Sequence, residues 1–219
     1  MNLIEYPDRD LMFVDLASKI SGEIEAALLH EDVVSVAVPG GTTPGPIFDE
    51  LCAADLDWSR VRILLSDERR VPADHDRSNE RLLRERLLVS RAAAATFVRL
   101  VPGGEDMSPV VQDLTPLLPL NVLLLGMGAD MHTASLFPGA AHLPAALDPH
   151  SAPVMMVDAS EGLEPRITLT APALTGALAI HVVITGEEKQ AALEKAHGLK
   201  PIEAPISLVL RNATVHWAP

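Results

Sequence analysis

A lone cysteine, Cys52, rules out any intramolecular disulfide in this 219-residue chain and fits a reducing compartment. Its setting, Ile47-Phe48-Asp49-Glu50-Leu51-Cys52-Ala53, has helical spacing, which predicts a packed thiol rather than a reactive one. Aromatic residues make up only 3% of the chain, too few for a stacking platform that would hold single-stranded nucleic acid. Cations are scarce as well. Seventeen Lys and Arg stand against 30 Asp and Glu, a formal net charge of -13. That field repels polyanions, so nucleic acid is not an expected partner, and a phosphate-bearing substrate would need a local basic pocket. No apolar run approaches the roughly 20 residues that cross a bilayer. The start, Met1 to Asp8, has no basic region followed by an apolar core of the kind a signal peptide carries. These absences predict a soluble cytoplasmic protein with no membrane partner.

Aliphatic residues are what the chain has in quantity. A hydrophobic content of 48% argues against disorder, and 219 residues suit one domain over 1–219 with a substantial core. Strand-like and helix-like segments alternate. The alternation predicts an α/β fold: a three-layer, Rossmann-like, mostly parallel sheet flanked by helices. Leu11, Val14, Ala17, Ile20, Ile24, Ala27 and Leu28 recur at helical spacing over residues 10–29. Residues 33–38 read as the first strand, with further strands at 61–65, 97–101, 121–125, 154–157, 166–170, 178–184 and 214–217. Helices are expected at 44–53, from Ser78 as N-cap, near 109–118, and at 187–196. Residues 102–109 read as a surface loop, and 139–150 as either a flap or a plain connector.

Four constellations carry possible chemistry. Gly40-Gly41-Thr42-Thr43 follows the strand at 33–38. Adjacent glycines let backbone approach an anion, and the next helix offers free N–H groups; a tight connector is the plainer reading. Asp67-Glu68-Arg69-Arg70-Val71-Pro72 leaves the end of the second strand and leads to Ser78-Asn79. It presents either a sugar-phosphate contact or a salt-bridged loop. Gly126-Met127-Gly128-Ala129-Asp130-Met131-His132-Thr133 follows a buried apolar run, where α/β sheets bind ligands. His132 with Asp130 nearby is a candidate general base, and a short helix is expected from about Thr133. Two ligands without a further His/Cys cluster make a weak metal site, and no Gly-x-Ser-x-Gly elbow accompanies Ser135. Last, Arg166 at a strand start and Lys189 in the first turn of a helix add local positive charge. His181 and His216 alternate with apolar strand residues and read as structural.

In this order the blocks Gly40 to Pro44, Asp67 to Asn79, Gly126 to Gly139, and Pro165-Arg166-Ile167-Thr168-Leu169-Thr170 with Gly186 and Lys189 closely resemble the 6-phosphogluconolactonases. The resemblance spans about 33–217. It implies a fold shared with glucosamine-6-phosphate deaminases and ribose-5-phosphate isomerases, and cofactor-free hydrolysis of a sugar-phosphate lactone in the oxidative pentose phosphate pathway; the lack of a ligand cluster separately predicts no metal. It points to His132 as catalytic base and to Arg69, Arg166 and Lys189 as substrate anchors; Asp130 is expected either to orient the imidazole or to contact substrate hydroxyls, and Gly40, Gly41, Thr42 and Asp67 complete the expected substrate contacts. It leaves the chain a monomer or small homo-oligomer. Backbone N–H groups around 128–133 are the expected oxyanion donors. Two positions depart from the family pattern. Met131 stands where Gly is usual, and Pro39 where Ser is usual; Met131 would be strained if its φ is positive. The 101–121 region also looks short for the family. Two other readings stay open: a sugar-phosphate isomerase or deaminase of the glucosamine-6-phosphate type, and a non-catalytic sugar-phosphate sensor. No helix-turn-helix or basic DNA-reading segment accompanies the latter.

Overall fold

The computed structural model describes residues 1–158 and 164–219. In chain order the elements are β1 (Asn2–Glu5), α1 (Arg9–Leu28), β2 (Val34–Val38), α2 (Gly45–Leu51), β3 (Val61–Leu65), β4 (Asp67–Arg69), α3 (Asn79–Arg86) and β5 (Thr96–Val98). There follow α4 (Ser108–Leu114), β6 (Val122–Gly126), α5 (Leu143–Ala146), β7 (Val154–Val157), β8 (Arg166–Leu169), α6 (Ala171–Thr175), β9 (Ala179–Thr185), α7 (Glu187–Ala196), α8 (Ser207–Leu210) and β10 (Thr214–Ala218).

Seven strands form one sheet in the order β1-β10-β9-β6-β2-β3-β5, and every neighbouring pair is parallel. β2 reads Val-Ser-Val-Ala-Val and is buried at all five positions, as a central parallel strand covered on both faces requires. The chain runs from β2 outward through β3 and β5, then returns to the other side of β2 with β6. The order therefore reverses between β2 and β6, which makes the crevice beyond their carboxyl ends the natural ligand site. A second sheet, β4-β8-β7, is antiparallel, with Asp67 opposite Thr168 and Arg69 opposite Arg166.

Side-chain caps set the start of two helices. Asp8 caps α1, its Oδ1 accepting from the Leu11 N–H at 2.8 Å. The face α1 buries is Met12, Leu16, Ala17, Ile20 and Ile24, while Leu11 and Val14, placed on the apolar stripe by periodicity, are half exposed. Ser78 does cap α3, accepting from the Arg81 N–H at 3.2 Å. The loop at 139–150 is pinned by fully buried Leu143 and Ala146, a packed connector. Between 101 and 121 stand only α4 and one 3-10 turn, Thr115–Leu117.

Three expectations need correction. The first strand is Asn2–Glu5, ahead of the one at 33–38. It is largely exposed and carries little apolar pattern; pairing with β10 makes it a strand. The strands at 154–157 and 166–169 belong to the small antiparallel sheet, and Asp67–Arg69, read as loop, joins them. No helix starts near Thr133. Met131 and Ala134 lie in the left-handed region, with φ of 68° and 48°, and Thr133 forms an isolated bridge with Leu136.

Candidate active site

A cavity of about 240 Å³ opens at the reversal between β2 and β6. Gly40, Gly41, Thr42, Asp67, Arg69, His132, Arg166 and Lys189 all line it. Residues up to 149 positions apart in sequence thus meet at one sheet edge, because each follows the carboxyl end of a strand or stands in the small sheet beside it. Asp130 is the exception. It does not line the cavity and is exposed, and it meets the site only through its contact with His132.

The loop after β6 is a tight, internally bonded turn. The Gly128 N–H donates to the His132 carbonyl at 3.0 Å and the Met131 N–H to the Gly128 carbonyl at 2.9 Å. Thr133 Oγ1 donates to the Gly126 carbonyl at 2.9 Å. The turn brings His132 Nδ1 within 2.5 Å of Asp130 Oδ1, which also accepts from the His132 N–H at 3.2 Å. An ionised Asp130 requires Nδ1 to carry the proton, so the Nε2 lone pair remains available as a base. The positive φ at Met131 is the strain anticipated for a non-glycine residue there, and its side chain is buried in the core. The expected oxyanion donors of this loop are largely committed. The N–H groups of 128, 131 and 132 already have internal acceptors.

Phe137 lies between two of the polar groups. Its ring centroid is 4.5 Å from that of His132, tilted by 37°, and the Arg166 guanidinium sits 5.2 Å from the same ring. Cation–ring attraction and packing hold both side chains in place. Asp67 supports Arg166 from behind. Its Oδ2 accepts from Ser135 Oγ at 2.6 Å and stands 3.7 Å from Arg166 Nη1. Burial draws the Arg166 guanidinium below its ordinary range, against the pull of Asp67 upward. The buried Nε atoms of Arg69 and Arg166 have no acceptor among the described residues, and Lys189 makes no ion pair among them. Buried donors of this kind call for an acceptor.

The glycine turn is held by a residue 39 positions away. Glu68, buried, accepts from the N–H groups of Arg69 at 2.7 Å, Asn79 at 2.8 Å and Glu80 at 2.6 Å, and from Ser78 Oγ at 3.1 Å. Burial pushes its carboxyl above the ordinary value, and the four donors work in the opposite sense. The start of α3 is thereby fixed on β4, and the Asn79 side chain is laid against Gly40. A Cβ at Gly40 would lie 2.0 Å from Asn79 Oδ1, so only glycine fits. The N–H groups of residues 40–43 find no protein acceptor among the described residues. Glu68, Asn79, Ser135 and Phe137 all sit inside the sequence blocks noted above; Glu68 reads there as part of a charged network with the arginines, and residue type alone gives none of the four the partners the structure shows. Among the described residues no group of three or more His, Cys, Asp or Glu converges as a metal site would, and no helix is long and apolar enough to cross a membrane.

Fold and site together define an α/β protein that presents a histidine–carboxylate pair and three cations at the carboxyl edge of a parallel sheet, a setting suited to a small anionic substrate. Residues 7–217 match the family model described as glucosamine-6-phosphate isomerases/6-phosphogluconolactonase, and the chain belongs to that family. It is 39% identical over 216 residues to a 6-phosphogluconolactonase of Rhizobium meliloti, covering 93% of both chains. It is also 39% identical to one of Mesorhizobium japonicum, covering 98% of this chain and 94% of the relative. Among solved structures, a 6-phosphogluconolactonase from Shewanella baltica superposes with a TM-score of 0.94 at 33% identity, covering 100% of this chain and 98% of that one. The enzyme from Thermotoga maritima gives 0.83 at 28% identity, covering 99% and 98%.

Proposed function

We propose that this protein hydrolyses 6-phospho-D-glucono-1,5-lactone to 6-phosphogluconate, the activity named for its relatives and the second step of the oxidative pentose phosphate pathway. The observation that carries this reading is one cavity edged by the Asp130-oriented His132 and by Arg69, Arg166 and Lys189. His132 Nε2 takes a proton from water as the oxygen attacks the lactone carbonyl carbon. The tetrahedral oxyanion then collapses, the bond to the ring oxygen breaks, and the imidazolium returns the proton to that leaving oxygen. Asp130 stabilises the imidazolium in between. The dianionic phosphate is drawn to the three cations and to the open N–H groups of the 40–43 turn, which reverse the repulsive field of an acidic chain. Asp67 serves as a support for Arg166 and Ser135. No step calls for a cofactor. The buried thiol of Cys52 fits a reducing, cytoplasmic setting.

The test follows proton release after addition of freshly made 6-phosphogluconolactone, measured against spontaneous hydrolysis. Wild type accelerates the reaction, and His132→Ala, folded by its circular dichroism, loses about a hundredfold to ten-thousandfold in kcat. A folded His132→Ala protein with wild-type kcat would remove the histidine from the mechanism. A wild type that adds nothing to the background would remove the activity.

A further inference from the structure

Away from the cavity, five side chains form an unbroken line between α1 and the sheet. Tyr6 Oη stands 2.5 Å from Asp15 Oδ2 and 2.9 Å from His216 Nδ1. His216 Nε2 stands 3.0 Å from His181 Nδ1, and His181 Nε2 stands 2.8 Å from Glu23 Oε2. The three middle groups are buried. The two carboxylates at the ends both come from α1, and each is about one-third exposed.

The line can be counted in protons. In each of the four contacts two electron-rich atoms face one another, and one proton must lie between them for the contact to attract. Four contacts need four protons. With both carboxylates ionised, the tyrosine un-ionised and both imidazoles neutral, the five groups supply three. Placed from the Asp15 end, Tyr6 donates to Asp15, His216 to Tyr6 and His181 to His216. A bare Nε2 of His181 is then left against a carboxylate oxygen at 2.8 Å. Placed from the Glu23 end, the mismatch moves to the 2.5 Å contact between Tyr6 and Asp15. No choice of tautomers removes it.

We propose that this chain of side chains is a proton-binding site that holds a fourth proton at neutral pH, carried by His181 as an imidazolium between His216 and Glu23, and so makes the docking of α1 proton-linked. The location follows from the neighbours. The Tyr6 hydrogen bond holds Asp15 below its usual range, and Lys19, 3.3 Å away, adds to it. His216 is fully buried and stands beside a second imidazole. Burial, with the neighbouring His181 adding to it, holds His216 down at about 3. His181 alone combines a basic nitrogen with a carboxylate partner. The strand neighbours supply no competing charge: Leu124 of β6 and Thr214 of β10 flank His181, and Ile4 of β1 and Val183 of β9 flank His216. Among the described residues, the titratable and charged groups facing the site are therefore Asp15, Lys19 and Glu23 from α1, Tyr6 after β1, and the two histidines.

An unfolded imidazole, with its ordinary value near 6.5, has largely released its proton above neutrality. Folding then takes one up, and the folding equilibrium constant falls by up to about tenfold per pH unit as pH rises, until the site empties. Glu23→Gln removes the need for the extra proton, because the amide N–H can donate to a neutral Nε2. Two measurements test this. Nitrogen-15 NMR of imidazole-labelled wild type at pH 7 should show both nitrogens of His181 protonated and one bare nitrogen on His216; a bare nitrogen on His181 overturns the proposal. Urea unfolding from pH 6.5 to 8.5 should show the falling stability in wild type and in Glu25→Gln, an exposed change on the same helix. Glu23→Gln should lose that fall, and equal slopes in all three proteins overturn the proposal.

Discussion

Gly128 and His132 are in contact across a single tight turn. A Cβ built on Gly128 would lie 2.2 Å from His132 Nδ1 and 2.4 Å from Asp130 Oδ1, closer than any side chain tolerates. The hydrogen bond that orients the imidazole thus exists because residue 128 has no side chain. Gly128→Ala should push the ring off its partner. Its expected effect is a fall in kcat of about a hundredfold, the scale of a misplaced catalytic group, with KM nearly unchanged. Steady-state kinetics on a variant with wild-type Tm checks this, and an unchanged kcat would mean that the pair is not set by this contact.

The proposed phosphate cradle predicts a change of discrimination. Arg166→Ala and Lys189→Ala should each weaken substrate binding, because each charge-assisted contact contributes roughly 1.5–3 kcal/mol, about ten- to a hundredfold in affinity. The double variant should lose most of its preference for phosphorylated over unphosphorylated lactone. Comparing kcat/KM for 6-phosphogluconolactone and gluconolactone decides it. A full preference retained in the double variant would put the phosphate elsewhere.

Met131 sets backbone strain against burial. A left-handed residue other than glycine costs roughly 1–2 kcal/mol. Removing a buried methionine side chain costs about 2–5 kcal/mol. Met131 packs in the core, so burial outweighs strain. Met131→Gly should therefore destabilise by about 1–3 kcal/mol despite relaxing the turn. A raised urea midpoint would show that strain outweighs burial instead.

Acid stability should report on His216. Its folded value, about 3, lies below the ordinary 6.5, so the unfolded chain binds the extra proton between these limits. The contribution of His216 is then complete above pH 6.5 and is lost as pH falls toward 3, by up to about 1.4 kcal/mol per unit. The carboxylates held low by partners, Asp15 and Asp49, contribute only further down, below their ordinary value of 3.8. Urea titrations at pH 6.5, 5.5 and 4.5 should show the slope in wild type and a flatter line in His216→Gln. A wild-type profile flat over that range would contradict a neutral buried His216.

The alternation of apolar runs with helical periodicity was enough to read a parallel α/β sheet, because buried parallel strands and amphipathic helices write their burial into adjacent residues. The glycine turn, Arg69, His132 and Lys189 were legible as candidates for the same local reason: each follows a recognisable strand, and ligands collect at that edge; Arg166, at the start of β8, was legible only as a local cation. What the chain does at a distance was not written locally. β1 is a strand only because β10 lies beside it, and Asp67–Arg69 only because β8 does. The fit of Asn79 against Gly40, the clasp of Phe137 between His132 and Arg166, and the four hydrogen bonds from Asp15 to Glu23 each join residues from separate elements. Side-chain pairing of that kind depends on distances that only the packed sheet sets, whereas hydrophobic periodicity depends on neighbours the sequence already names.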